Sequence, residues 1–228
     1  MIYKEYFEIF IIQVKYMKKL RKFIVSIAFF GFSAFSQAGV YDDFFKAIQL
    51  DHPATVTALL ERGFDPNTAN RNGVPALLAA LQEKSFKAAE ALVEHPQTQI
   101  DVRTQRDESP LMLAALRGQE SLVVKLVSRG AMVNKTGWTP LHYAATGGQM
   151  RVLAFLIGSG ADVNAESPNG TTPLMMAAMY GNDAIVKLLL ESGANVETRN
   201  DQQLSAEDFA VRAGREDSAR LIRQLLPR

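Results

Sequence analysis

The sequence of 228 residues contains no cysteine and a single tryptophan, Trp138. Without cysteine there are no disulfides, no thiolate metal ligands, no cysteine nucleophile and no lipidated N-terminal cysteine. Histidine is scarce too. His52, His95 and His142 stand far apart, and three scattered imidazoles do not make a metal site. An excess of either charge is also missing. The chain has 25 Lys and Arg against 24 Asp and Glu, a formal net charge of +1, so nothing in the whole-chain charge argues for nucleic acid. Paired-carboxylate spacing, a Gly-rich phosphate loop and a Gly-x-Ser-x-Gly elbow are all absent. What the chain does have is apolar residues, 47% of the total. That suffices for one domain with a real core or for a short array of repeats.

The N-terminus differs from the rest. From Met17 the letters read MKKLRKFIVSIAFFGFSAFSQAGV, a basic stretch (Lys18 to Lys22) followed by the 13-residue apolar run Phe23 to Phe35. Small residues around Ser36-Gln37-Ala38 then match a signal-peptidase site. The apolar run falls short of the roughly 20 residues that span a bilayer, so a cleaved secretory signal at 17–38 is expected rather than a permanent anchor. Residues 1–16 do not belong to this pattern and are expected to derive from a mis-chosen upstream start. The mature chain then begins at Gly39. Residues 1–38 carry six basic and two acidic side chains, which leaves 19 against 22 and a net charge of −3. Such a chain is a poor candidate for DNA or anionic membranes.

The rest of the sequence repeats itself. SPLMLAALRGQ (109–119), TPLHYAATGGQ (139–149) and TPLMMAAMYGN (172–182) are copies of one segment, and VPALLAALQEK (74–84) is a fourth. Weaker copies are LSAEDFAVRAG (204–214) and DDFFKAIQLD (42–51). Each continues with a second segment, as in VVKLVSRGAMVN (123–134), VLAFLIGSGADVN (152–164) and IVKLLLESGANVE (185–197). Equivalent positions fall at 43, 75, 110, 140, 173 and 206, a period of 30 to 35 residues.

The physics of one unit follows from its letters. Thr139 or Thr172 is a good helix N-cap, its hydroxyl accepting from an early unpaired N–H. Pro140 or Pro173 fits the first helical position, where its missing N–H costs nothing. Leu141, Ala144 and Ala145 lie at i, i+3 and i+4 on one apolar face, and the paired alanines permit close approach of a neighbouring helix. Gly148 or Gly181 ends this helix. Val152, Leu153, Leu156 and Ile157 define a second, more apolar helix, which Gly160 stops in a left-handed conformation. A polar turn around Asn169-Gly170 follows. A unit of about 33 residues cannot cover its own apolar faces, so the units must stack.

In these motifs, TPLHYAATGG followed by VLAFLIGSGADVN and their copies, the chain resembles the ankyrin-repeat family over residues 42–228. The resemblance implies an all-α repeat solenoid of stacked helix–turn–helix units with β-hairpin or turn fingers. Residues 39–228 would hold about six repeats, the first and last being atypical caps. It also implies non-catalytic protein binding through the concave helix face and the fingers. Three departures stand out. His95-Pro96 replaces the usual Gly-Ala, so the second helix there must end at or before His95. The finger at 134–137 is three residues shorter than its successor at 164–170. The last unit lacks the proline and places Arg220 and Arg223 where inner units are apolar or neutral.

The candidate chemistry is thin. His142 can be read as a general base, but its counterparts are Met112, Met175 and Leu77, so a structural role is the expectation. The methionines at 112, 175, 176 and 179 read as core filler. Asn134-Lys135-Thr136 and Asn169-Gly170-Thr171 are glycosylation sequons of a length that arises by chance. No cofactor is expected.

Within the resembled frame, two sets of positions escape the packing pattern. One set precedes the N-cap: Glu108, Trp138 and Thr171. The other follows the paired alanines: Leu81-Gln82, Leu116-Arg117, Thr146-Gly147 and Met179-Tyr180. Gln82, Glu108, Leu116, Arg117, Trp138, Thr171, Met179 and Tyr180 are therefore the expected protein-binding residues, since exposed Trp, Tyr and Arg mark interaction surfaces. The expected state is a monomer in the periplasm or outside the cell, bound to an exported or envelope protein and free of membrane anchor and nucleic acid. By analogy with exported bacterial proteins of this type, the partner can be an oxidative-stress enzyme such as a catalase. A host-directed effector and an enzyme with a groove site using His142 or Tyr180 are the alternatives.

Overall fold

In a computed structural model of the chain, residues 39–225 are described. The expected leader at 1–38 lies outside them. The described residues fall into two units, one ending at Lys46 and the other starting at Ala47. In the first, the ring of Phe45 meets Tyr41 at 4.9 Å and Phe44 edge-on at 5.3 Å.

Twelve helices occur among the described residues. The first, α1, covers residues 39–49. Then come α2 (Pro53–Glu61), α3 (Ala76–Gln82), α4 (Phe86–Glu94), α5 (Pro110–Leu116) and α6 (Glu120–Ser128). They continue as α7 (Pro140–Thr146), α8 (Met150–Gly158), α9 (Pro173–Tyr180), α10 (Asp183–Glu191), α11 (Ala206–Arg212) and α12 (Glu216–Arg223). From α3 onward the helices pair across connections of two or three residues. The first helices α3, α5, α7, α9 and α11 pack in series, and the second helices α2 through α12 form a parallel series. This is the all-α repeat solenoid expected from the repeated letters.

Local chemistry explains the boundaries. Ser109 and Thr172 accept from the N–H groups of Met112 and Met175, at 3.1 and 3.4 Å, as N-caps should. Thr139 is the N-cap of α7, in a capping box with His142, and its hydroxyl also pairs at 2.8 Å with His142 Nδ1. Where proline is missing, Ser205 and Asp208 cap α11 reciprocally, serine to backbone at 3.2 Å and carboxylate to backbone at 2.8 Å. Gly160 leaves α8 at φ +83°, the left-handed stop read from the sequence.

The paired alanines of α3, α5, α7 and α9 are all buried. They bring successive first helices close enough that a Cβ at Gly147 would stand 2.3 Å from the Leu116 carbonyl oxygen. Hydrogen bonds continue the stack beyond the helices. Asn67, Asn134 and Asn164 each use their carboxamide twice on the next unit. Asn134 donates to the Gly160 carbonyl at 2.7 Å and accepts from the Asp162 N–H at 2.8 Å. Asn164 does the same to Gly193 and Asn195, and Asn67 to Gln97 and Gln99. Asp101 stands in the equivalent place between units two and three, accepting from the Met132 N–H at 3.3 Å.

The fingers are turns rather than full hairpins: among the described residues the only isolated bridge joins Ala69 and Pro75. Four fingers close in the same way, with N–H to carbonyl bonds from Asn70 to Val74, Thr104 to Glu108, Ser167 to Thr171 and Asn200 to Leu204. The short finger before Trp138 has no such bond, and Lys135 Nζ reaches the Trp138 carbonyl at 3.3 Å instead.

The helix α4 stops at Glu94 and His95 turns extended, as Pro96 requires. The freed carbonyls are gathered by one side chain from the next unit. Arg129 donates to the oxygens of Val93, His95, Pro96 and Thr98 at 2.6, 3.0, 2.8 and 3.3 Å. A planar fork with five N–H groups can do this, and an ammonium cannot. Arg129→Ala should therefore lower unfolding stability by about 2 kcal/mol, with Arg129→Lys recovering little of it. Urea denaturation of the three proteins checks this.

Candidate functional site

The first helices present one face that the stack leaves open. Leu141, Ala144 and Ala145 point inward, so the residue between them, Tyr143, lies on the other side of α7. The same rotation brings Met176 of α9 to that side, and Leu116 and Thr146 reach it from the ends of α5 and α7. Trp138 overhangs from the finger. These five side chains, drawn from three successive units, enclose an open cavity of about 210 Å³. Its lining is almost wholly apolar.

Each wall is held from behind. The Trp138 ring stands edge-on to the His142 imidazole at 5.2 Å. The Tyr143 hydroxyl donates to Glu108 Oε1 at 3.2 Å. Its pKa is pushed up to about 12, by burial first and by the Glu108 carboxylate second. The Leu116 carbonyl accepts from Gln149 Nε2 of the next unit at 3.3 Å. At the end of α9 the Arg215 guanidinium does the same for Met179 and Tyr180, at 3.1 and 3.4 Å.

The expected binding residues separate into three groups. Leu116 and Trp138 meet in the cavity just described, with Arg117 exposed beside Leu116. Gln82 and Glu108 meet in a second, more polar cavity between the fingers at 70–74 and 104–108. Tyr180 is 55% exposed and Met179 half-buried, and neither lines these two cavities. Thr171 requires correction. It is 3% exposed, its N–H bonded to Ser167 Oγ and its carbonyl to His142, so it offers no surface. Leu81 is likewise buried. Trp138 is half-buried rather than fully exposed. Tyr143 is not singled out by the alignment of units, and the expectation of core filler, which holds for the buried Met112 and Met175, needs correction for Met176, which is half-buried and lines the cavity. The signal for both was their position two residues after the buried leucine, which turns them away from the paired alanines.

His142 is wholly buried. The Thr139 N–H can only donate, so Nδ1 is the unprotonated nitrogen that receives it at 3.2 Å. The Thr171 carbonyl can only accept, so Nε2–H donates to it at 2.9 Å. The ring is thus a neutral tie between α7 and the next finger. Burial is the first cause that drops its pKa to about 4. In the copies, Met112 and Met175 sulfur atoms take the same N–H bond from Ser109 and Thr172, at 3.3 and 3.5 Å. Among the described residues there is no group of three His, Asp or Glu placed to hold a metal ion. No helix among them is long and apolar enough to cross a membrane. Asn134 is taken up by the inter-unit ladder and Asn169 by Ser167 Oγ at 2.6 Å.

A family model described as "Ankyrin repeats (3 copies)" matches residues 96–167 and 148–225, together more than half of the chain. Among curated proteins, the "Ankyrin repeat and SAM domain-containing protein 6" of Rattus norvegicus is 36% identical over 109 residues, 46% of this chain and 12% of its own length. The "NF-kappa-B inhibitor delta" of Mus musculus is 37% identical over 90 residues, 38% of this chain and 27% of its own. The "B-cell lymphoma 3 protein homolog" of Mus musculus is 28% identical over 126 residues, 52% and 28% respectively. The chain thus spans under a third of each of these relatives.

The depressed pKa of His142 makes a signed prediction. The unfolded imidazole takes up a proton near the ordinary histidine value of 6.5, and the folded one only near 4. Its contribution to stability is therefore complete above pH 6.5 and is lost as pH falls toward 4, by about 3 kcal/mol in all. His142→Met retains an acceptor for the Thr139 N–H and has no such titration. Stability measured from pH 7 to 4 should fall more steeply in the wild type than in His142→Met by that amount.

Proposed function

Because the chain belongs to the ankyrin-repeat family, whose repeats bind other proteins, we propose that residues 39–228 form a non-catalytic module. The module binds one protein partner through the open face of its first helices and the adjoining fingers. The observation that carries this reading is the cavity of Leu116, Trp138, Tyr143, Thr146 and Met176. A stack needs none of these side chains to meet on its open side, yet three units contribute to one apolar recess. A recess of this kind, with an indole at its edge and Arg117 nearby, has the composition of a binding hot spot. The stacked helices hold it rigid, so little ordering entropy is lost when a partner arrives.

The destination is part of the proposal. The basic and apolar letters of 17–38 support export, and with it a partner in the periplasm, the envelope or the medium. Separation of periplasm, membrane and medium, followed by N-terminal sequencing, tests this. Residues 17–38 still attached to protein found in the soluble fraction would refute it.

The binding face has its own test. In affinity capture from an envelope extract, Trp138→Ala should retain the circular dichroism spectrum of the wild type and weaken partner capture about tenfold or more. Tyr180→Ala, at an exposed position, should also fold and reduce capture, by a smaller factor. Undiminished capture by both folded variants would remove the open face from the reading.

A further inference from the structure

The second cavity lies one to two units away from the apolar recess and is about 490 Å³ in volume. Asn72 and Gln82 line one side, and Arg103, Arg106 and Glu108 the other. Its charges are unevenly satisfied. Glu108 is fully engaged: Oε2 accepts from the Thr104 hydroxyl at 3.1 Å and Oε1 from the Tyr143 hydroxyl at 3.2 Å. Asp107 is engaged by Lys135, whose ammonium holds the carboxyl below the usual range. Arg103 is paired more loosely: its Nη2 lies 3.8 Å from Asp101 and its Nε 3.9 Å from Asp107, ion-pair distances too long for hydrogen bonds. Its Nη1 is buried and has no acceptor. Arg106 is exposed at the mouth.

We propose that this cavity receives a carboxylate carried by an extended segment of the partner, and that an apolar side chain of the same segment seats against Trp138. A guanidinium with an unused N–H matches a planar carboxylate, and Arg106 adds a second cation. The carboxylates of Asp101 and Asp107 close by favour a singly charged guest over a doubly charged phosphate. The Glu108–Tyr143 hydrogen bond joins the two cavities, since Glu108 lines one and Tyr143 the other. With helices roughly 8–10 Å apart, one to two units correspond to about three to six residues of extended chain. This inference rests on the protein-binding reading above and adds the chemistry of the partner.

The test is selection from a display library of unstructured decapeptides on the immobilised full chain. Wild type should enrich peptides with Asp or Glu about three to six residues from Leu, Ile, Phe or Trp. Arg103→Gln, checked for folding by circular dichroism, should lose the acidic preference and retain the apolar one. It should bind the best wild-type peptide about tenfold more weakly. If that variant does not fold, the exposed Arg106→Gln serves, with the same loss of acidic preference expected. Enriched peptides lacking an acidic position, or an acidic preference unchanged in the folded variant, overturn the inference while leaving the open face as a binding surface. Enrichment of phosphopeptides over carboxylate peptides overturns it too, as does a failure to enrich any peptide. The broader reading falls by a different result: wild type that captures no partner, or capture undiminished in both folded open-face variants.

Discussion

A pair of short helices has two apolar flanks and no means of covering both. The packing between units of the described residues follows from that constraint. The paired alanines are small because another helix must lie on them, and Gly147 lacks a Cβ because the Leu116 carbonyl occupies its place. The carboxamides of Asn67, Asn134 and Asn164 reach the next unit because the polar backbone at each turn needs partners that its own unit cannot supply. Stability in such an array is a sum of interfaces between neighbours.

The same constraint creates the proposed binding surface. Once the leucine, the alanines and the second helices are committed to packing, the remaining side of each first helix has nothing to pack on. Along α5, α7 and α9 that side carries Leu116, Tyr143, Thr146 and Met176, and the shortened finger brings Trp138 over them. Lys135 holds that finger, bonding to the Trp138 carbonyl where longer fingers use a backbone closure. A deletion in one turn thus coincides with the largest side chain of the open face. His142, next to Tyr143 in sequence, faces the opposite way and ties two units together instead of serving as a base.

Much of this could be read from letters. Period, helix limits, the left-handed stop at Gly160 and the end of α4 before Pro96 all depend on nearest neighbours in the chain. The structural role of His142 was legible because its counterparts are Met112, Met175 and Leu77. What escaped depends on residues about 30 positions apart. Arg129 reads as one more charged residue at a helix end, and only stacking brings it onto the carbonyls around Pro96. Thr171 aligns with Trp138 and Glu108, yet its longer finger folds it inward onto Ser167. Tyr143 escapes because alignment of units finds variable positions, and Met176 reads as core filler, whereas exposure is decided by rotation about the helix axis.

The claim at the centre is that no unit stands without its neighbours. Circular dichroism of a peptide covering residues 139–164, followed through a thermal melt beside the full chain, tests it most directly. The account predicts a featureless, non-cooperative trace for the peptide and a cooperative transition for the full chain. A cooperative melt of the isolated unit would contradict it.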